Sequence, residues 1–188
     1  MVKIYYADVS DVCEFEFLIK NLSEPRKSYV ESITDSNRRK QSLCVWLLLE
    51  YALNDMGITS FKYHLKDNGE WVVDVDGVFV SLSHSNNIVA VSIGDQANGA
   101  DVEACSEKLF KIEKLFKDNN KKQEISVDDL ALCWTEKESK IKAKINGFMS
   151  NIMLFDELKN KYCLSVCCND ESPSFVGVGF DEVLKKIR

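Results

Sequence analysis

Two carboxylates in the run Gly99-Ala100-Asp101-Val102-Glu103 have a spacing that suits metal chemistry. Side chains alternate along a strand, so Asp101 and Glu103 are predicted to project from the same face. Adjacent carboxylates repel one another unless a cation lies between them, and their hard oxygen ligands suit Mg²⁺. The alternative interpretation is the solvated face of an amphipathic strand, because such a pair is common.

A second polar segment runs from Trp134 to Lys144 and has helical spacing. Trp134, Glu138 and Lys142 recur every four residues, which puts them on one face of a helix. Glu138 is therefore a candidate third metal ligand, and Lys142 a candidate contact for a substrate phosphate. The alternative is an exposed helix surface with ordinary ion pairs between residues four apart.

A third segment, Ser81-Leu82-Ser83-His84-Ser85, ends one predicted strand just before the next. A histidine among hydroxyl groups can present several hydrogen-bond donors to an anion such as phosphate. The alternative is a polar β-turn, which the segment taken alone favours.

The elements that must position these groups alternate between helix and strand. Strands are predicted over 2–7, 71–75, 78–82, 87–93, 99–104, 161–168 and 174–178. Helices are predicted from Asp35 or Ser36 to Met56, from Val127 to Ile145 with Ser126 and Asp129 as a capping box, and over 107–117 and 181–187. The order predicts an α+β protein with two halves, 1–98 and 99–188.

Composition excludes several classes of protein. The 24 basic and 30 acidic side chains give a net charge of −6, which disfavours sequence-independent nucleic-acid binding. The sequence contains no signal-peptide pattern and no apolar run long enough to span a bilayer, so we expect a cytoplasmic protein without a membrane partner. The 7 cysteines form no CxxC pair, which favours buried free thiols over a disulfide framework or a zinc site.

Taken in this order and spacing, the three segments resemble the motifs of the 4′-phosphopantetheinyl transferase family, and more closely its surfactin-type (Sfp-type) branch. The matching residues are Ser83-His84-Ser85, Gly99-Ala100-Asp101-Val102-Glu103 and Trp134-x-x-Lys137-Glu138-x-x-x-Lys142. The likeness covers about residues 36 to 148 and includes the basic helix start at Arg38-Arg39.

The resemblance implies two pseudo-symmetric halves, each a small antiparallel sheet packed on a long helix. It also implies a transferase that moves the phosphopantetheine arm of coenzyme A onto a serine of an acyl or peptidyl carrier protein. The implied magnesium ligands are Asp101, Glu103 and Glu138. The implied coenzyme A contacts are His84, Ser83, Lys142, Lys137, and Arg38 or Arg39. Glu138 is the first candidate for the catalytic base, with Glu103 as the second.

Two departures from the family pattern concern coenzyme A affinity more than the metal site. Glu70 stands where the family often has a lysine that helps to hold phosphate, and Ile145-Asn146-Gly147 replaces a Gly-x-Gly sequence. The alternative function is therefore a non-catalytic relative that binds carrier protein or coenzyme A.

Lysines recur every three residues at 108, 111, 114 and 117, and two more follow at 121 and 122. They form either a solvated helix face or a docking surface for an acidic carrier protein. By analogy with the family fold, we expect a monomer.

Overall fold

A computed structural model describes residues 1–13, 15–67, 69–116, 125–144, 149–157 and 160–187. The helices are α1 (Phe15–Lys20), α2 (Arg26–Ser32), α3 (Ser36–Asp55), α4 (Val127–Ala143) and α5 (Phe180–Ile187), with a 3-10 helix over Glu107–Leu115. The strands are β1 (Val2–Asp8), β2 (Lys62–Leu65), β3 (Trp71–Asp74), β4 (Phe79–Ser85), β5 (Ile88–Gly94), β6 (Asn98–Ala104), β7 (Met149–Glu157), β8 (Asn160–Cys168) and β9 (Ser174–Gly177). The protein is therefore of the predicted α+β class.

The helix α3 packs on a sheet with the strand order β4-β5-β1-β9. It begins after Asp35, whose carboxylate accepts the Arg38 amide at 2.8 Å, so the predicted cap is confirmed. Its middle turns are apolar on every side, as at Leu43, Trp46 and Leu49. These apolar side chains are buried on all sides, because the sheet covers one side of α3 and the helices α1, α2 and α5 contact it elsewhere.

The helix α4 packs on a second, antiparallel sheet with the order β6-β8-β7. The predicted capping box is present, since the Ser126 hydroxyl accepts the Asp129 amide and the Asp129 carboxylate accepts the Ser126 amide. The sequence reading missed β7. Residues 150–157 of this edge strand are exposed or half-buried, so β7 lacks the buried interior of the central strand β8.

The resemblance implied that the first sheet would be purely antiparallel. The structure instead shows a mixed sheet. β4, β5 and β1 pair antiparallel, but β9 pairs with β1 in parallel, with Lys3 opposite Ser174. β9 thus completes the first sheet, and α5 follows it, although both elements come after β8 in the chain. The buried side chains of Phe180 and Val183 on α5 join the core around α3, which is the physical reason for this return.

The strand β4 continues past its predicted end at Leu82. Ser83, His84 and Ser85 belong to the strand, and the reversal occurs at Asn86 and Asn87, where Asn86 has φ 49°. The polar-turn interpretation of this segment is therefore wrong. The left-handed conformation that the turn requires is one that asparagine tolerates.

Two further expectations concern the whole chain. No helix in the described ranges is long and apolar enough to cross a membrane. All seven cysteines are free thiols, and Cys44, Cys163, Cys167 and Cys168 are buried.

Candidate functional site

Asp101 and Glu103 are each held through one carboxylate oxygen. The Ser83 hydroxyl donates to Asp101 Oδ1 over 2.8 Å, and the Ser85 hydroxyl donates to Glu103 Oε1 over 2.8 Å. The Ala104 amide also donates to Glu103 Oε1, at 3.2 Å. Since the two residues are separated by one position in β6, both carboxylates lie on the same face of the strand.

Lys142 binds across the junction of the two sheets. Its ammonium donates to Asp101 Oδ1 at 2.7 Å, to the Ala100 carbonyl at 3.0 Å and to the Leu82 carbonyl at 3.4 Å. An ammonium has three donors, so this geometry satisfies all of them with oxygens of β4 and β6. Lys142 thus neutralises Asp101 and ties α4 to both strands.

Gly99 allows α4 to lie directly against β6. A Cβ atom at this position would come within 2.2 Å of the Ser139 carbonyl oxygen and 2.3 Å of the Ala143 amide nitrogen. Any other residue would therefore push the helix away from the strand. The glycine sets the distance over which Lys142 reaches Asp101.

The register between α4 and β6 follows from contacts of Ser139, Ala143 and Thr135. Ser139 and Ala143 lie against Gly99, whereas Thr135 contacts Cys163, the residue paired with Glu103 on β8. The helix therefore runs antiparallel to β6. Glu138 lies one helical turn before Lys142 on a similar side of α4, and that turn advances towards Glu103.

The carboxylates fit a magnesium ion shared with a substrate phosphate. Asp101 Oδ2 is buried and has no hydrogen-bond partner among the described residues. A buried carboxylate oxygen without a donor or cation is costly. Mg²⁺ is usually held by one or two carboxylates together with waters and substrate phosphates.

No three His, Cys, Asp or Glu side chains in the described ranges are arranged to hold a metal. The geometry thus brings together the pair Asp101 and Glu103, and Glu138 as a third ligand stays a prediction. Burial raises the pKa of Glu103, and the negative charge of Asp101 adds to this effect, while the bond from Ser85 opposes it. A divalent cation would relieve the same repulsion.

His84 lies on β4 at the mouth of a cleft of about 300 Å³. Enclosure of its ring lowers the pKa of His84, and the nearby charges of Lys142 and Arg38 lower it further. These three cationic or ionisable side chains thus belong to one electrostatic neighbourhood. Such a neighbourhood attracts an anion.

The two arginines at the start of α3 have different environments. Arg38 is exposed and acts electrostatically on His84. Arg39 donates from Nε to the Ile33 carbonyl at 2.8 Å and contacts Glu16 at 3.5 Å. Of the two, Arg38 is the one whose charge acts on His84, although neither arginine lines the cleft.

Arg26 is a cleft residue that the sequence reading missed. Its side chain is 1% exposed and its guanidinium lies 5.1, 5.0 and 4.9 Å from the ring centres of Tyr29, Trp46 and Trp71. One terminal nitrogen donates to the carbonyl and hydroxyl oxygens of Ser42. Burial lowers the pKa of Arg26 to about 10, which still leaves the group charged at neutral pH.

Two donors at the cleft lack partners among the described residues, namely Arg26 Nε and Trp71 Nε1. Both are buried, so a ligand with acceptor oxygens would satisfy them. Arg26, Trp46 and Trp71 are far apart in the sequence. Residue spacing therefore gave no sign that the arginine and the tryptophans would meet.

A second cavity of about 410 Å³ shares Trp71 and Lys142 with this cleft. Glu70, the departure from the family pattern, lines it and contacts Lys66 at 3.5 Å and Lys144 at 2.5 Å. Its negative charge is therefore balanced by two lysines. The segment Ile145-Asn146-Gly147 lies outside the described residues.

Lys137 is placed away from the cleft lining. Its ammonium lies 5.9 Å from the ring centre of Phe116 and 5.8 Å from that of Trp134. This is a cation–π arrangement on the outer side of α4. The described geometry gives Lys137 a packing role and does not bring it to His84 or Lys142.

A larger cavity of about 540 Å³ lies between the end of β1 and the start of α5. It is lined by Asp8, Asp11, Glu157 and Asp181, among others. The smaller cleft is the better candidate site, because it combines cationic groups, a carboxylate and unpartnered polar atoms.

Comparison with known proteins leaves the family undecided. No protein-family model matches the chain, and no curated protein matches it.

Proposed function

We propose that this protein transfers the 4′-phosphopantetheine group of coenzyme A to a serine of an acyl or peptidyl carrier protein, and that it has the 4′-phosphopantetheinyl transferase fold. The observation that supports this most is the orphaned Asp101 Oδ2 beside a cleft lined by Lys142, His84 and Arg26. A carboxylate oxygen without a partner, next to cationic groups, suits a phosphorylated substrate that binds together with magnesium.

In the proposed reaction, the carrier serine oxygen forms a bond to the β-phosphorus of coenzyme A. The bond between that phosphorus and the bridging pyrophosphate oxygen breaks, and adenosine 3′,5′-bisphosphate leaves. Asp101 and Glu103 would hold Mg²⁺, with Glu138 as the candidate third ligand. When bound, the ion neutralises the charge that develops on the pyrophosphate.

The chain's own residues bind and orient the substrate. His84 lines the cleft, Arg38 acts on it electrostatically from outside the lining, and both would contact phosphate oxygens. Arg26 Nε and Trp71 Nε1 offer two further donors from the wall. Lys142 would exchange a carbonyl contact for a phosphate contact, because its 3.4 Å bond to Leu82 is the longest of its three.

The hydroxyl proton of the carrier serine must pass to a base as the new bond forms. Glu138 is the proposed base, because it lies one helical turn before Lys142 on α4, in the direction of Glu103. Glu103 is the second candidate. Replacing each with glutamine separates them, since loss of the base would lower transfer without lowering the affinity for Mg²⁺ as strongly.

The direct test is to mix the purified protein with coenzyme A, Mg²⁺ and several apo carrier proteins. We expect the mass of a carrier to increase by one phosphopantetheine group. Asp101→Asn should abolish this increase, while Asp95→Asn should not, because Asp95 lies at the exposed N-terminal ion pair. Failure of every carrier to gain mass would reject the transferase.

The carrier is proposed to dock on the 3-10 helix. Lys108, Lys111 and Lys114 are exposed there together with the apolar Phe110. Residues 117, 121 and 122, which extend the lysine series, lie outside the described residues. An acidic partner would be attracted to this surface, and its association would be sensitive to salt.

A non-catalytic relative that binds coenzyme A or carrier protein is the second candidate. Two observations favour it: all three donors of Lys142 are engaged with protein oxygens, and Glu70 lines the second cavity. Coenzyme A binding measured by calorimetry, without mass transfer to any carrier, would favour this function over the transferase.

A further inference from the structure

Serine hydroxyls join the two sheets where β4 and β6 meet. The two strands are edges of different sheets. The hydroxyl oxygens of Ser81, Ser83 and Ser85 accept the amides of the facing strand at 3.1, 3.2 and 3.1 Å. These amides belong to Ala100, Val102 and Ala104. Alternate residues of both strands are therefore in step along the junction.

Two of these hydroxyls also donate a hydrogen bond to a carboxylate. A serine hydroxyl has one proton and two acceptor sites, so accepting an amide leaves its proton free to donate. Ser83 donates that proton to Asp101 and Ser85 donates it to Glu103, each over 2.8 Å. Ser81 accepts the Ala100 amide in the same way, but within the described residues its hydroxyl contacts no carboxylate.

The donated bonds determine which oxygen of each carboxylate remains available. Oδ1 of Asp101 receives both Ser83 and Lys142, which leaves Oδ2 without a partner. Oε1 of Glu103 receives both Ser85 and the Ala104 amide. Each carboxylate is therefore anchored at one oxygen by two donors. Anchoring of this kind restricts the side-chain torsions and orients the other oxygen.

We infer that Ser83 and Ser85 are positioning residues that hold Asp101 and Glu103 in the orientation needed to bind a divalent cation. The inference rests on the proposed function, and it gives the two hydroxyls a role that acts through the carboxylates, although Ser83 also lines the cleft. Ser81 provides the internal comparison, because it makes the bond that joins the sheets without the bond that orients a carboxylate.

The test measures Mn²⁺ binding to the full-length protein by electron paramagnetic resonance of the free ion, without coenzyme A. The variants are Ser81→Ala, Ser83→Ala, Ser85→Ala and Ser85→Thr. We expect Ser83→Ala and Ser85→Ala to weaken Mn²⁺ binding by about tenfold, as loss of an outer-shell partner does in other metal sites. Ser81→Ala should retain the wild-type affinity, and Ser85→Thr should restore it because threonine keeps the hydroxyl.

Thermal unfolding of the same variants controls for a purely structural role. All three alanine variants lose one bond to a β6 amide, and Ser83→Ala and Ser85→Ala also lose the bond to a carboxylate, so we expect a lower Tm in each, with the smallest decrease in Ser81→Ala. If Ser85→Ala does not fold, Ser83→Ala carries the same expectation for Mn²⁺. The inference is overturned if Ser81→Ala weakens Mn²⁺ binding as much as Ser85→Ala, if Ser85→Ala has no effect, or if the wild type binds no Mn²⁺.

Failure of the proposed function gives a different result. A wild-type protein that binds Mn²⁺, loses affinity in the Ser83 and Ser85 variants, and transfers nothing to any carrier would reject the transferase and retain the positioning role. Transfer by the wild type, together with equal Mn²⁺ affinities in Ser81→Ala and Ser85→Ala, would retain the transferase and reject the positioning role.

Discussion

Lys142 on α4 and Asp101 on β6 form an ion pair in which Nζ lies 2.7 Å from Oδ1, although 41 positions separate them in the chain. The side chain of Asp101 is 9% exposed and that of Lys142 is 29% exposed. This pair is the central contact of the candidate site, because the same ammonium also binds the Leu82 carbonyl of β4.

Lys142→Met should destabilise the fold by about 2 kcal/mol, somewhat less than the loss of one partner from a fully buried pair. The physical reason is that Asp101 would keep its charge without a counter-ion. The matched control is Lys140→Met on the same helix, which breaks an exposed pair with Glu136 and should cost less than about 1 kcal/mol. Urea denaturation measures both. Equal losses in the two variants would contradict the importance of the Asp101 pair.

Gly99→Ala should push α4 away from β6, because the added Cβ would lie 2.2 Å from the Ser139 carbonyl oxygen. We expect a loss of about 1–3 kcal/mol in the free energy of unfolding. We also expect weaker Mn²⁺ binding, since Lys142 and Asp101 would separate. Gly179→Ala is the control, as a Cβ there meets no atom within 4 Å. A stable Gly99→Ala variant with unchanged Mn²⁺ affinity would show that the close approach is not required.

The free energy of unfolding should depend on pH through the ionisation of Asp55. The Tyr5 hydroxyl and the Lys186 ammonium donate to it and lower its pKa from 3.8 to about 2. The ionised carboxylate therefore stabilises the fold at pH values above its ordinary pKa, and this contribution is lost as the pH falls towards 2. Asp55→Asn should cost about 1 kcal/mol at pH 7, allowing for solvent screening of a partly exposed group, and almost nothing near pH 2. Denaturant unfolding at both pH values measures the difference, and a cost independent of pH would be contrary to this account.

Arg38 and Arg39 are expected to differ in their effect on nucleotide binding. Arg38→Ala should weaken adenosine 3′,5′-bisphosphate binding by about tenfold, which corresponds to the loss of one charge-assisted hydrogen bond. Arg39→Ala should leave the affinity nearly unchanged but lower Tm, because Arg39 bonds the Ile33 carbonyl. Calorimetry and thermal unfolding together distinguish the two roles. A larger loss of affinity in Arg39→Ala would reverse the assignment.

If an acidic carrier docks on the 3-10 helix as proposed, its modification should be sensitive to salt. Replacing Lys108, Lys111 and Lys114 with glutamate should lower kcat/KM for an acidic carrier and flatten its dependence on ionic strength. The KM for coenzyme A should change less, because these lysines do not line the cleft and, of the three, only Lys108 acts electrostatically on Glu103. Steady-state kinetics at several salt concentrations provide the measurement. An equal loss at every salt concentration would argue against electrostatic docking.

Local sequence patterns predicted the elements that are defined by near neighbours. The Asp35 cap of α3 and the capping box formed by Ser126 and Asp129 are both present where they were expected. The alternation of Asp101 and Glu103 likewise depends only on strand geometry. The patterns failed at β4, where the sequence between Ser81 and Ser85 looks polar because its hydroxyls bond a strand of the other sheet.

The amino-acid sequence by itself determined the α+β class, the two long helices and the residue types available for chemistry, because these follow from patterns within a few residues. Only the tertiary structure decided that Arg26 lies among three aromatic rings, that the charge of Arg38 acts on His84 while Arg39 bonds Ile33, and that β9 returns to β1. The physical reason is that such contacts join residues far apart in the chain. Their formation depends on how helices and sheets bury apolar surface, which short-range spacing does not specify.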